Sequence, residues 1–392
     1  MTAYTKGLEP IRVNRKGAER VRAGHPWIFQ SDVIDVGDAA PGDAVEVWDP
    51  RARSLGVFHY SSRSQIMLRR LSAQAQPIDR DFWRQRISAA VAYRQRVAPG
   101  STHRLVHAEA DGLPALIVDR YGDCLSVQTL DQGMDAARAT IIEVLVELLA
   151  PQAIVLRNDA SVRKLEGLAL EKELLYGTLP EPHEIQLNGF RWRVDLLGGQ
   201  KTGTFLDQRE NYIAAQRFAR GNVLDCFCSS GGFALHLART CDRIEAVDAS
   251  PTALERAREN AALNEIGNVE FKEADVFGLL SGYANVGRRF DTVVLDPPAF
   301  AKSRNTVQKA LAGYKDINLR ALKLLGPGGV LITCSCSHHV SEGAFIETIA
   351  AAAIDAGQTL RVLDRRTQSI DHAILLTVPE THYLKCLIFE VV

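Results

Sequence analysis

Residues 222–238 read NVLDCFCSSGGFALHLA. An apolar run of strand character ends in Asp225, small residues and the pair Gly231-Gly232 turn the chain, and an apolar helical segment follows. Strand, glycine turn and helix in this order open a parallel α/β sheet, because glycine lets the chain turn tightly and approach a ligand closely. Downstream the alternation continues through RIEAVDAS, the helix TALERARENAALN, VEFKEAD, a helix, FDTVVLDPP, a long helix to Leu325, GGVLITCS, a helix and two closing strands. Residues 200–392 are therefore expected to form a mostly parallel, doubly wound sheet with ligands outside the C-terminal strand ends.

Upstream the pattern differs. Residues 1–75 read as short strands separated by turn signals, among them GHPWIF, AAPGDAVEVWD and SLGVFHY, which predicts a small β-rich domain. The segment DRDFWRQRISAAVAYRQRV carries Phe82, Ile87 and Val91 at helical spacing and opens a central α/β domain over 76–182. Within it, LVHAEADGLPALIVDRYGDCLSVQ, a helix to about Ala150 and AIVLRND give a β-β-α-β pattern. EIQLNGFRWRVDLL follows as a hairpin connector over 183–199, since Asn188-Gly189 can take positive φ at both central positions of a type I′ turn.

At 392 residues the chain is long enough for several domains with sizeable cores. It carries no apolar stretch of the ~18 residues that a membrane helix needs, and MTAYTKGLEP lacks a signal-peptide core. Seven scattered cysteines suit reduced thiols in a cytoplasm rather than a disulfide scaffold. A net charge of -1 argues against a wholly basic nucleic-acid binder. Charge is nevertheless local. Residues 1–30 hold six Lys/Arg against two acids, and Arg51, Arg53, Arg63, Arg69 and Arg70 lie in an acid-free stretch. For an isolated cluster of this kind the ordinary reading is a solvated face.

Three successive strands end in acids: Asp225, Asp248 and Asp275. Asp248 sits about 20 residues past the first turn, where a carboxylate accepts ribose hydroxyls, and Asp275 could receive an adenine amine. Each could instead cap a helix. The turn D-C-F-C-S-S-G-G is not the G-x-G-x-x-G that brings a helix N-terminus to a pyrophosphate. Acids without a phosphate cradle suit a cationic adenosine cofactor, S-adenosylmethionine. The cofactor set on these strand ends is Asp225, Ser229, Gly231, Gly232, Asp248, Ala249, Asp275, Val276 and Asp296.

The fourth strand ends in Asp296-Pro297-Pro298-Ala299-Phe300, a rigid turn with both proline φ angles fixed. It resembles the acidic-Pro-Pro signature of class I methyltransferases that act on nucleobases. Pro297, Pro298 and Phe300 are then candidate substrate contacts. The fifth strand runs into LITCSCSHHV, residues 331–340, where alternation puts Cys334, Cys336 and His338 on one face and Ser335 and Ser337 on the other. Cys336 lies nearer the C-terminal end, which favours it over Cys334 as a reactive thiol. A thiolate adding to carbon 6 of cytosine would make carbon 5 nucleophilic, with Asp296 holding the base. No second Cys pair lies nearby to suggest a metal site.

RKGAERVRAGHPWIF, DGLPALIVDRYGD, KTGTFLDQREN, DCFCSSGGF, LDPPAFAKS, TCSCS and YLKCLIF together resemble successive blocks of the bacterial large-subunit ribosomal RNA 5-cytosine methyltransferase family, over nearly the whole chain. The resemblance implies an N-terminal PUA domain, a central α/β domain and a C-terminal Rossmann-like class I methyltransferase domain. It implies that Phe205, Asp207, Gln208 and Arg209 border the cofactor pocket and that Cys336 is the single nucleophile, Ala299 standing where another family type has a second Cys. It also implies ribosomal RNA as partner, met by Arg15, Lys16 and Arg20, and it leaves a homodimer open. The alternatives are methylation at a base nitrogen without covalent catalysis, and a non-catalytic RNA-binding assembly factor.

Overall fold

Strands buried on both faces need unbroken apolar runs, and VLDC, IEAV, TVVL and VLIT supply them at the centre of one sheet. The computed structural model describes residues 9–199, 202–301 and 304–392. Lys201, Lys302 and Ser303, which belong to two of the motif blocks, lie outside the described residues. The chain forms two compact units, one of residues 1–185, 194–204 and 370–381, the other of residues 186–193, 205–369 and 382–392.

In the first unit, strands Trp27–Phe29, Ile66–Ser72, Ser54–Tyr60, Ala44–Trp48, Ile11–Val13 and Val33–Asp35 form one sheet in that spatial order. A second sheet runs Glu171–Gly177, Ala153–Asn158, Cys124–Thr129, Leu116–Tyr121 and Thr102–His107. The expected β-β-α-β core is present, extended by a strand at each end. Helices Arg80–Val97 and Gln132–Leu149 accompany it, each capped by an aspartate, Asp79 and Asp131. One core cluster takes residues from both regions, joining Ala44, Val57 and Leu71 to Phe82, Trp83 and Met134. Polar groups bridge them as well: buried Arg69 donates to Glu166 at 2.8 Å. Among the sequence's basic stretch, Arg69 is therefore enclosed, Arg53 pairs with Asp49, and Arg51 and Arg63 are exposed.

The hairpin strands Glu184–Leu187 and Phe190–Arg193 are joined by Asn188 at φ 52° and Gly189 at φ 77°, the signs a type I′ turn requires.

In the second unit, the described residues form a seven-stranded sheet. Its strands are β1 (Asn222–Cys226), β2 (Arg243–Asp248), β3 (Val269–Glu273), β4 (Phe290–Leu295), β5 (Leu325–Ser335), β6 (Leu360–Arg366) and β7 (Lys385–Val391). The spatial order is β3-β2-β1-β4-β5-β7-β6, parallel from β3 to β5, with β7 antiparallel to both of its neighbours. The helices are α1 (Arg209–Gln216), α2 (Gly232–Leu237), α3 (Pro251–Leu263), α4 (Val276–Asn285), α5 (Val307–Leu322) and α6 (Glu342–Asp355). Strand order reverses between β1 and β4, so the crevice at their C-terminal ends is the expected ligand position.

Two details differ from the sequence reading. The long helix α5 stops at Leu322, because Leu325 already pairs with Phe290 and the following Gly-Pro-Gly-Gly cannot hold a helix. The fifth strand closes at Ser335, so Cys336 leaves the ladder one residue beyond its end.

Phe345 on α6 is fully buried and meets Tyr314 of α5 edge-on at 5.2 Å. Phe345→Ala should destabilise the protein by about 3–5 kcal/mol, read as a shift in the denaturant midpoint of the second unit.

Candidate active site

The turn after β1 is strained in the way a close ligand approach requires. Phe227, Ser229 and Gly231 have φ of 65°, 48° and 94°. Gly232 opens α2 against the ring of Tyr212, where a Cβ would lie 2.4 Å from the ring carbon Cζ. Larger residues there would drive α1 and α2 apart.

Around this turn the three strand-end acids do different work. Asp225 is fully buried; one oxygen accepts from the Ala234 amide at 2.9 Å, and Oδ1 has no hydrogen-bond partner among the described residues. Burial, reinforced by the nearby charges of Asp296 and Asp248, pushes its carboxyl well above the usual range. Asp248 accepts from the amides of Ser229 and Ser250, both at 2.9 Å, and so fixes the glycine turn from the neighbouring strand. Asp275 caps α4 by accepting from Gly278 at 2.8 Å. The helix-cap alternative thus describes one oxygen of Asp275. Beside it Val276 is buried, whereas Ala249 is exposed.

Asp296 is reached from the other side. Leu206–Gln208 form a single helical turn leading into α1, and the Gln208 amide donates to Asp296 Oδ1 at 3.0 Å. Asn211 holds that amide in place by donating to its oxygen at 2.7 Å, and Arg366 of β6 donates to Asn211 in turn at 3.0 Å. This chain of polar groups was not legible in the sequence, because Asn211 and Arg366 alone lie 155 residues apart. Asp207 accepts from the Tyr383 hydroxyl at 2.9 Å. Arg209 lies beside Glu210, and Phe205 is half-buried just before the turn.

The Asp-Pro-Pro turn meets the end of β5. Cys336 Sγ lies 3.9 Å from the Pro297 carbonyl. Ser337, fully buried, accepts from the Ala301 amide at 3.1 Å and contacts the Tyr314 hydroxyl at 3.0 Å. Of the seven cysteines, Cys336 alone is not buried. Cys334 faces Cys386 across the sheet, both fully enclosed, and burial pushes the Cys334 thiol well up. Pro298 is exposed, while Phe300 packs its ring on Tyr314 at 4.6 Å and on Phe277 at 6.2 Å. His338 and His339 are exposed.

The structure therefore brings Gln208, Asp225, Asp296 and Cys336 to one end of the sheet. Arg15, Lys16 and Arg20 lie in the first unit: Arg15 and Lys16 are exposed, and Arg20 is half-buried against Asp32 and over the Phe29 ring.

Residues 11–73 match the PUA-like domain family, and residues 166–372 match the S-adenosylmethionine-dependent methyltransferase family. A protein of Shewanella denitrificans named ribosomal RNA large subunit methyltransferase I is 42% identical over 97% of this chain and 99% of its own length. This chain belongs to that methyltransferase family. A relative of the same name from Shewanella amazonensis is 43% identical over 94% of this chain and 95% of its own. Among solved structures, one assigned to the S-adenosylmethionine-dependent methyltransferases of Streptococcus mutans superposes with a TM-score of 0.84 at 18% identity, covering 98% of this chain and all of its own. A second, solved in complex with SAH, superposes at 0.85 with the same identity and coverage. At that identity the likeness speaks for the fold.

Like the family's other members, the chain takes S-adenosylmethionine as cofactor, and its residues fit that molecule. A buried carboxyl with an orphaned oxygen is stabilised in its charged form by a positively charged neighbour. No helix among the described residues is long and apolar enough to cross a membrane.

A raised carboxyl pKa favours folding at low pH, and that contribution is lost as pH rises through the native value. Asp225→Asn should therefore remove a loss of apo-protein melting temperature that the wild type shows with rising pH. It should also weaken S-adenosylmethionine binding about tenfold, about 1.4 kcal/mol, by calorimetry.

Proposed function

We propose that the protein forms 5-methylcytidine in large-subunit ribosomal RNA through a transient covalent bond between Cys336 and the target cytosine. The observation that carries this reading is the placement of the chain's one partly exposed cysteine against the Pro297 carbonyl of the Asp-Pro-Pro turn. RNA as substrate rests on the names of the relatives and on the PUA-like domain.

Bound S-adenosylmethionine supplies an electrophilic methyl group. Asp296, oriented by Gln208, holds the base through its ring nitrogen and exocyclic amine. The Cys336 thiolate adds to carbon 6, and the displaced electron pair makes carbon 5 the nucleophile that takes the methyl group. A base then removes the carbon 5 proton, the ring double bond re-forms, and the bond from carbon 6 to sulfur breaks to return the thiolate. The catalytic residues on this reading are Cys336 and Asp296. Phe205, Gln208, Arg209, Asp225, Ser229, Gly231, Gly232, Asp248, Ala249, Asp275 and Val276 border the cofactor. Pro297, Pro298 and Phe300 border the base.

On the same reading residues 1–75 bind RNA with Arg15, Lys16 and Arg20 on its phosphates, which suits structured RNA read through its backbone. Residues 76–182 form a central domain, 183–199 a connector and 200–392 the transfer domain. The target nucleotide must leave its stack to reach the thiol. The protein acts in the cytoplasm, and the chemistry requires no second copy, so a homodimer is compatible without being needed.

Cys336→Ala should abolish methyl transfer to ribosomal RNA while leaving S-adenosylmethionine affinity within about twofold, since the thiol acts on the base. Nucleoside mass spectrometry of RNA from cells with and without the protein should show 5-methylcytidine lost. Retention of 5-methylcytidine formation by the variant would sink the covalent mechanism, and a methyl group on a base nitrogen would replace the reaction assigned here.

A further inference from the structure

Lys385 opens β7 directly opposite Ser335, the last residue of β5. Its side chain is only 2% exposed. All three of its protons are committed: the ammonium donates to the carbonyl oxygens of Ser337 at 2.8 Å, Val340 at 2.9 Å and Tyr383 at 2.8 Å. Two of those carbonyls belong to the turn that Cys336 begins. The lysine thus clamps the chain on the C-terminal side of the thiol, while the Pro297 carbonyl meets the thiol itself.

This ammonium forms no ion pair with a carboxylate among the described residues. A buried cation without a counter-charge is unfavourable, and carbonyl dipoles offset only part of that. The two groups whose negative charge reaches it are Cys336, first, and Glu342 at the start of α6. Glu342 is itself engaged by Arg365 at 2.6 Å. A thiolate at Cys336, which begins the turn whose carbonyls hold the ammonium, would supply the charge that the buried cation lacks.

We propose that Lys385 is the positioning residue of this active site, holding the turn 336–340 and favouring the thiolate form of Cys336. Catalytic significance rests on the reading of Cys336 as nucleophile; the charge coupling does not. Burial brings the lysine down to about 8, which still leaves it mostly protonated at neutral pH. With every proton already donated to a carbonyl, it is poorly placed to serve as the base that removes the carbon 5 proton.

Among the described residues, the other titratable groups Asp296, Tyr314 and His338 supply the thiol no free positive charge. Asp296, the acid that opens the Asp-Pro-Pro turn, can offer the thiol no positive charge. Tyr314 of α5 senses the Cys336 charge but is itself pushed up by burial, so it stays neutral. His338 in the same turn stacks on Tyr383 at 5.0 Å. Among these, Lys385 is the buried cation.

The test is the pH dependence of Cys336 alkylation by iodoacetamide, followed by peptide mass spectrometry on the full-length protein. The six buried cysteines are shielded from the reagent. The wild-type midpoint should fall below the ~8.5 of a free thiol. Lys385→Met should raise it by about one unit, slowing alkylation at neutral pH about tenfold, with S-adenosylmethionine affinity kept within about threefold as the control on folding. Lys385→Arg, which keeps the charge, should recover part of the shift. A midpoint unchanged in Lys385→Met overturns the proposal. If that variant does not fold, a wild-type midpoint at or above the free-thiol value overturns it, and one below it, kept in part by Lys385→Arg, upholds it. Alkylation needs no RNA, so the outcome is independent of whether Cys336→Ala retains methyl transfer.

Discussion

The amide of Ala301 donates to the hydroxyl of Ser337, and through that bond the ends of two adjacent strands become one rigid surface. Parallel pairing brings β4 and β5 side by side, but it leaves their C-terminal extensions free to diverge. Ser337 closes that gap, with Tyr314 bracing it from α5 and Phe345 bracing Tyr314 from α6. The contact of Cys336 with the Pro297 carbonyl follows from this closure. So does the position of Asp296, since the prolines transmit the constraint through fixed φ angles. A fully buried serine with its hydroxyl satisfied adds direction that an apolar side chain could not.

Much of this was legible in the sequence, for identifiable reasons. Continuous apolar runs alternating with helical segments located β1 to β5 and their helices. Asn188-Gly189 announced its turn through the positive φ that few residue pairs tolerate. The cysteine nearest the strand end could be singled out by polarity alone. What resisted reading was long-range: Arg366, Asn211 and Gln208 form a relay to Asp296 that no local pattern encodes. Lys385 was hidden for another reason. A lysine inside LKCLIF reads as a strand-end charge reaching solvent, and only the fold reveals three carbonyl oxygens converging on it. In the basic N-terminal stretch the error ran the other way, since the arginines counted there include Arg69, enclosed by Glu166.

Placing acids at three strand ends gave a common chemistry to residues that turn out to differ. Asp248 shapes the glycine turn, Asp275 caps a helix, and Asp225 keeps an oxygen without a partner among the described residues. Unsatisfied buried carboxylates are unfavourable in the free protein, and their stabilisation by a cation makes binding and local stability two expressions of one interaction.

A glycine in the first unit has a consequence for modularity. Gly133, in the first turn of helix Gln132–Leu149, lies so close to His59 of strand Ser54–Tyr60 that a Cβ there would sit 2.1 Å from the imidazole ring. The β-rich region and the central region therefore meet through a missing side chain, over a core to which both contribute. Such a joint cannot be exchanged like a bead on a string. A PUA-like region grafted from another protein would have to present a ring of the same shape at that spot, so these two parts of the chain are constrained to change together.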